Sequence, residues 1–224
     1  MKTIVYFIAA SGFTREECER RAARMQRLLP DGFTVSVRTQ PSGLTTLDPP
    51  DYAQRVLAGT VDAIGKFRSP DVDAVVLGVA LDLGLREARA RSALPVIGPG
   101  EASLFLAAAV GRRLSVIAVD DMTAEVAKTF VREAATKPAV VSVRSMQTPL
   151  DVVTKDPGAA RSALRRECRF AVTDDGAEAV YFGAMTLSTL DMADALRREL
   201  GITVFDPLPI ALATAVACIE AAGR

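Results

Sequence analysis

The stretch "DAVVLGVALDLGL", Asp73 to Leu85, is stated twice in this chain, the second time as "EAVYFGAMTLSTL", Glu178 to Leu190. Both copies run acid, Ala, Val, two apolar residues and Gly, pass through a polar group and close on Leu. A short apolar run stopped by Gly reads as a buried strand and the turn that leaves its carboxyl end. The resemblance continues downstream. After each copy comes a helical pattern and a short strand ending near proline, "LPVIGPGEASLFLAAAV" in the first case and "ITVFDPLPIALATAV" in the second. Gly78 and Gly183 are 105 positions apart (183 − 78), and Pro99 and Pro207 are 108 apart (207 − 99). The matching order of Gly, Pro and an Ala-rich helix points to an internal repeat.

Working outward, apolar runs rich in Val and Ile predict strands at Ile4–Ala9, Phe33–Arg38, Ala74–Val79, Leu94–Ile97, Leu114–Val119, Val140–Val143, Ala179–Phe182 and Ile202–Phe205. Helical patterns alternate with them. "TREECERRAARMQRLL" (Thr14 to Leu29) has Thr14 as N-cap and acids in its first turn, and the helix containing "SALRRECRFAVTDDG" stops at Gly176. "RSMQTPLDVVTKDPGAA" (Arg144 to Ala160) is the least regular stretch and is expected to be a long connection. Strand–helix alternation implies parallel sheets covered by helices. The expected fold class is therefore α/β, in two pseudo-symmetric lobes that each hold a mostly parallel sheet flanked by helices, with a ligand cleft between them. The expected boundaries are residues 1–96 plus 206–224 for one lobe and 97–205 for the other. Ligands of open α/β sheets sit beyond the carboxyl ends of strands, which directs attention to Val79 and Ala184.

Composition narrows the chemistry. The 224 residues carry 27 Lys plus Arg against 27 Asp plus Glu, a balance with no basic excess for nucleic acid and no polybasic tail for a membrane. The opening "MKTIVYFIAASGFT" alternates like a strand and leads into a charged helix, so it reads as a first strand rather than a signal peptide, and a cytoplasmic location is expected. There is no histidine, which removes Ser-His-Asp and Cys-His arrangements and H-E-x-x-H zinc sites. Three cysteines, Cys18, Cys168 and Cys218, show no C-x-x-C spacing, and each reads as structural. No metal site and no cofactor are expected.

Four segments resemble the aspartate/glutamate/hydantoin racemase superfamily, in its hydantoin-racemase-like branch. They are "DAVVLGVALDLGL", "LPVIGPGEASLFLAAAVGRRLSVIAV" (Leu94 to Val119), "DGAEAVYFGAMTLS" (Asp175 to Ser188) and "GITVFDPLPIALATAV" (Gly201 to Val216). The N-terminal "AASGFT" departs from the Asn-Pro that many members carry after their first strand. The resemblance implies a cleft that takes a small carboxylate or imide, and two cysteines acting as acid and base on opposite faces of one carbon. Those cysteines would follow the glycines matching Gly78 and Gly183, where this chain has Val79 and Ala184. The two-cysteine mechanism is therefore not carried over.

The resemblance assigns ligand contacts to Ser11 and Gly12 after the first strand, to Gly78, Val79 and Ala80, and to Gly183, Ala184, Met185 and Thr186. Ser11 has helix capping as its alternative. Thr186 is favoured as a ligand contact, and Ser188 as an N-cap. Asp82 is the ionisable group nearest the first vacant position and the candidate base, with an N-cap to "LGLREARA" as its competing role. Glu101, Asp120 and Asp121 read as helix-start or turn residues, and Tyr181 as core. Asp82 and Thr186 are thus the candidate catalytic residues. Three functions stay open: a superfamily enzyme working on a small carboxylate or keto acid without cysteine, as a decarboxylase, other C–C lyase or carboxylate-assisted isomerase; an amino-acid or hydantoin racemase or epimerase; and a non-catalytic small-ligand binding protein. A homo-oligomer is implied by the resemblance, and "SLFLAAAV" (Ser103 to Val110) is either core or a subunit contact.

Overall fold

The computed structural model describes residues 1–11, 13–40 and 59–223, so Gly12 lies outside the described residues. The chain divides into two compact units. One comprises Met1–Pro99 with Ala211–Arg224, and the other Gly100–Ile210.

The first unit holds β1 (Lys2–Ile8), β2 (Phe33–Thr39), β3 (Ala74–Leu77) and β4 (Val96–Ile97) in the order β2-β1-β3-β4, every pair parallel. The second holds β5 (Leu114–Ala118), β6 (Val140–Ser145), β7 (Ala179–Phe182) and β8 (Thr203–Phe205) in the order β6-β5-β7-β8, again parallel throughout. The strand order repeats as the sequence does, and the α/β class of two helix-flanked parallel sheets is the one expected.

The two copies of the repeat form the inner strands β3 and β7, whose residues from Ala74 to Leu77 and from Ala179 to Phe182 are all fully buried. Strands covered on both faces have no polar side to alternate with, which is why these runs are continuously apolar. The opening acid of each copy has a structural task. The Asp73 amide donates to Thr3 O at 2.8 Å while its carboxylate accepts from Thr3 N at 2.7 Å. In the second unit the Glu178 amide donates to Arg113 O at 2.8 Å and its carboxylate accepts from Arg113 N at 3.1 Å. Each acid clips the start of its strand to the neighbouring strand and satisfies main-chain groups that would otherwise end unpaired.

Helices enclose the sheets. In the first unit these include Arg15–Gln26 and Leu85–Arg91. Thr14 caps the former, its side chain accepting from Glu17 N at 3.2 Å as the sequence suggests, and the helix ends at Gln26 rather than Leu29. In the second unit Asp121–Glu133, Pro157–Thr173 and Ala193–Leu200 flank the sheet. Gly176 takes a left-handed φ of 66° just beyond the end of Pro157–Thr173.

Arg144 to Ala160 is not a long connection. Strand β6 runs to Ser145, a helix spans Leu150–Lys155, and the next begins at Pro157. The reason lies in its punctuation. Pro149 starts one helix, and Asp156, accepting from Ala159 N at 3.0 Å, caps the other with proline at its first position. Both prolines of the stretch are helix starts.

Candidate functional site

The turns that leave β3 and β7 have the same construction. The Gly78 amide donates to Phe7 O at the end of β1 at 2.7 Å, and the Gly183 amide donates to Ile117 O at the end of β5 at 2.8 Å. Close approach requires glycine at 78 and favours it at 183. A Cβ on Gly78 would lie 2.6 Å from Phe7 O, and one on Gly183 would lie 3.1 Å from Ile117 O. The next residue in each copy, Val79 or Ala184, closes a matching turn: Val79 O accepts from Asp82 N at 3.1 Å and Ala184 O accepts from Leu187 N at 3.0 Å. Val79 and Ala184 are thus the first residues past the ladder in their units, and both are half-buried.

Asp82 completes the first turn in the left-handed region, with φ 54°, a conformation that aspartate tolerates better than most side chains. It does not cap the following helix. The N-cap of Leu85–Arg91 is Gly84, with no side-chain cap bond. Instead the Asp82 carboxylate leans across to the end of β4, where its Oδ2 lies 2.7 Å from the point a Cβ on Gly98 would occupy. A side chain at 98 would displace it. Asp82 is half-buried. It stands at the carboxyl edge of the sheet.

The second unit solves the same gap from the other side. The residue matching Asp82 is Leu187, fully buried, and the residue matching Gly98 is Asp206. The buried Asp206 carboxylate accepts from Ser188 Oγ at 2.5 Å and from Leu208 N at 3.1 Å. Ser188 is therefore not an N-cap. It lies inside the short 3₁₀ helix Leu187–Leu190, and the N-cap of Ala193–Leu200 is Met192. Asp206 was not singled out from the sequence. Its signal is Asp immediately before a proline that opens a helix, a capping pattern.

Thr186 precedes the 3₁₀ helix and makes no side-chain cap bond, its carbonyl accepting from Thr189 N at 3.0 Å. Thr186, like Met185 and Ala184, is half-buried. Ala80 and Leu81 are buried, whereas Val79, Ala184 and Met185 are half-buried. Ser11 does not cap the first helix, since Thr14 does. Asp120 is a cap, accepting from Thr123 N at 2.7 Å, Glu101 lies in the first turn of Pro99–Val110, and Tyr181 is core.

None of the cysteines stands at a strand end. Cys18 lies within Arg15–Gln26 and Cys218 within Pro207–Ala221. Cys168 is packed in the core of the second unit, where burial, with the nearby Glu167 charge, pushes its thiol up to about 12. It stays a neutral thiol at physiological pH. Among the described residues no cluster of three or more Cys, Asp and Glu could hold a metal ion, and no helix is long and apolar enough to cross a membrane.

Known proteins resemble this chain in sequence and in fold. A hydantoin racemase of Pseudomonas sp. (strain NS671) is 33% identical over 152 residues, 67% of this chain, and the match spans 59% of that protein's own length. One from Rhizobium meliloti is 30% identical over 163 residues, covering 73% of this chain and 67% of that protein. Among solved structures, the allantoin racemase from Klebsiella pneumoniae superimposes with a TM-score of 0.87 at 21% identity, over 99% of this chain and 89% of that one. A doubly substituted arylmalonate decarboxylase in its liganded form gives 0.74 at 20% identity, over 98% and 93%. At these identities the two structures show a common fold. The family model for Asp/Glu/Hydantoin racemase matches residues 14–215, so the chain belongs to the Asp/Glu/Hydantoin racemase family.

Proposed function

We propose that this protein is a family enzyme that works on a small carboxylate, keto acid or imide without a cysteine thiol, moving a proton at the carbon beside a carbonyl. Asp82 is the group that does so. The observation that carries the reading is its position: the first ionisable side chain past β3, three residues beyond Val79, with its carboxylate set over Gly98. In the forward step Asp82 takes the proton as the C–H bond breaks, and the electron pair passes to the adjacent carbonyl oxygen as an enolate. In the reverse step the protonated Asp82 returns it and the carbon–hydrogen bond reforms. The turn amides of Val79 and Ala80 are suited to the enolate or carboxylate oxygens. In the second unit the amides of Met185 and Thr186 and the Thr186 hydroxyl remain proposed ligand contacts. Ser11 and Gly12 remain proposed ligand contacts after the first strand.

Val79 and Ala184 favour decarboxylation as a second reading. An apolar residue at the position where the resemblance implies a cysteine would offer a dry wall against which a carboxylate is destabilised toward loss of carbon dioxide. The electron pair of the broken C–C bond then passes to the same enolate, and Asp82 or solvent supplies the proton.

The test is a panel of hydantoins, amino acids, dicarboxylates, keto acids and arylmalonates, each incubated with the protein and followed by chiral chromatography and carbon dioxide release. Inversion or exchange supports proton transfer, and gas release supports the second reading. A ligand that stabilises the protein to heat yet stays chemically intact would overturn both and leave a binding protein.

A further inference from the structure

Among the described residues, two buried side-chain atoms lack a hydrogen-bond partner, Gln40 Nε2 and Thr60 Oγ1. A buried donor in that state has given up its bonds to water and gained none, and native chains rarely keep one without a use for it. Thr60 is fully buried within a helical segment, whereas Gln40, 5% exposed, stands just past β2 at the carboxyl end of the first sheet. Its amide donates to Ala10 O at 3.2 Å, beside Ser11. Ligands of open α/β sheets bind at that end.

The chain makes room for the Gln40 carboxamide. A Cβ on Gly59 would collide with Nε2 and lie 2.8 Å from Oε1. Residues 59–64 are helical, and glycine is the poorest helix former after proline. Helix propensity is given up at 59 to seat this side chain.

The second unit shows what the fold itself asks for at this place. The Gly78 and Gly183 amides donate to Phe7 O and Ile117 O, which makes those two residues equivalent. Phe7 pairs with Arg38 and Ile117 with Arg144, so Gln40 and Met146, each two residues further on, are equivalent too. Met146 is 1% exposed and belongs to the hydrophobic core. An unbranched apolar side chain of similar size satisfies the packing there, so the carboxamide of Gln40 answers a different need.

We infer that Gln40 is a specificity-determining residue, its Nε2 donating to a carbonyl oxygen of the bound ligand. The inference rests on the proposed function for the presence of a ligand at the carboxyl end of the first sheet. Such a donor selects by what it rejects. A ligand with a carbonyl there completes the bond, and one without it leaves the donor unsatisfied.

Isothermal titration calorimetry with 5-benzylhydantoin and benzylmalonate, combined with urea unfolding, tests this on the full chain. The wild type is expected to bind at least one probe. Gln40→Met and Gln40→Glu, which both remove the donor, should weaken that binding at least tenfold. Gln40→Met should be as stable as the wild type or more so, because it removes the orphaned donor and installs the residue of the second unit; a merely structural glutamine would give the opposite. Asp82→Asn keeps the two readings apart: binding that persists there and falls in Gln40→Met supports this inference even if turnover does not depend on Asp82. Unchanged affinity in Gln40→Met, as when the donor holds an internal water only, would overturn the inference. So would a Gln40→Met protein less stable than the wild type, or a wild type that binds neither probe.

Discussion

The Ser188 hydroxyl donates to the Asp206 carboxylate at 2.5 Å, and the same oxygen accepts the Leu208 amide, so one side chain ties the turn after β7 to the helix start after β8. In the first unit the corresponding turn bears the acid: Asp82 reaches over Gly98, the position matching Asp206. Each unit thus keeps one carboxylate at the carboxyl ends of its last two strands, supplied from opposite strands.

Ser188→Ala removes a charge-assisted hydrogen bond and is expected to cost about 2 kcal/mol of stability. Asp206→Ala also removes a helix cap and leaves the buried Ser188 hydroxyl unsatisfied, so it should cost more, about 3 kcal/mol. Urea unfolding of the two variants checks the order, and equal or negligible losses would contradict it.

The glycines of the two turns should differ in tolerance. A Cβ at 78 meets main-chain atoms at 2.6 and 3.2 Å, whereas at 183 the nearest main-chain atom is at 3.1 Å. Gly78→Ala is expected to cost about 2–3 kcal/mol and Gly183→Ala about 1 kcal/mol. Denaturant midpoints compare them directly.

Cys168 makes stability fall in alkali. Its folded pKa, about 12, lies above the ordinary thiol value of 9.0, so between those values the unfolded chain ionises while the folded one does not. The unfolded state then binds fewer protons, and the stability present below pH 9 falls by roughly 1.4 kcal/mol per unit as pH rises toward 12. In Cys168→Ala this component of the slope should vanish. At pH 8, iodoacetamide should modify Cys18 and Cys218 well before Cys168 in the native protein.

Gly98→Ala tests the role of Asp82 without altering it. The added methyl collides with the carboxylate and with Leu85, so Asp82 must turn away. Turnover of whichever substrate the panel identifies is expected to fall at least tenfold, the low end of what a misplaced acid–base group loses, with circular dichroism retained. Undiminished turnover would separate Asp82 from the chemistry.

The sequence made the two sheets legible because β3 and β7 are apolar throughout and end at Gly78 and Gly183, whose lack of a side chain suits the approach of Phe7 O and Ile117 O. Arg144 to Ala160 lacks a clear period because two short-spaced helix starts, at Pro149 and Pro157, interrupt it. The site was half legible. The repeat locates Val79 and Ala184, and Asp82 reads as a base or as a helix cap, whereas Asp206 carries only the pattern of a cap before Pro207. Which strand carries the carboxylate depends on packing across the sheet, Asp82 on Gly98 in one unit and Ser188 on Asp206 in the other, and linear spacing does not show it.

The most direct measurement is proton NMR of a turned-over substrate in deuterium oxide, with wild-type protein, the same protein alkylated by iodoacetamide, and Asp82→Asn. Cysteine-free chemistry at Asp82 predicts deuterium at the carbon beside the carbonyl with the wild type, little change after alkylation and a loss of at least a hundredfold in Asp82→Asn, the contribution of a general base. Exchange that disappears on alkylation and persists in Asp82→Asn would contradict it and return the chemistry to a thiol.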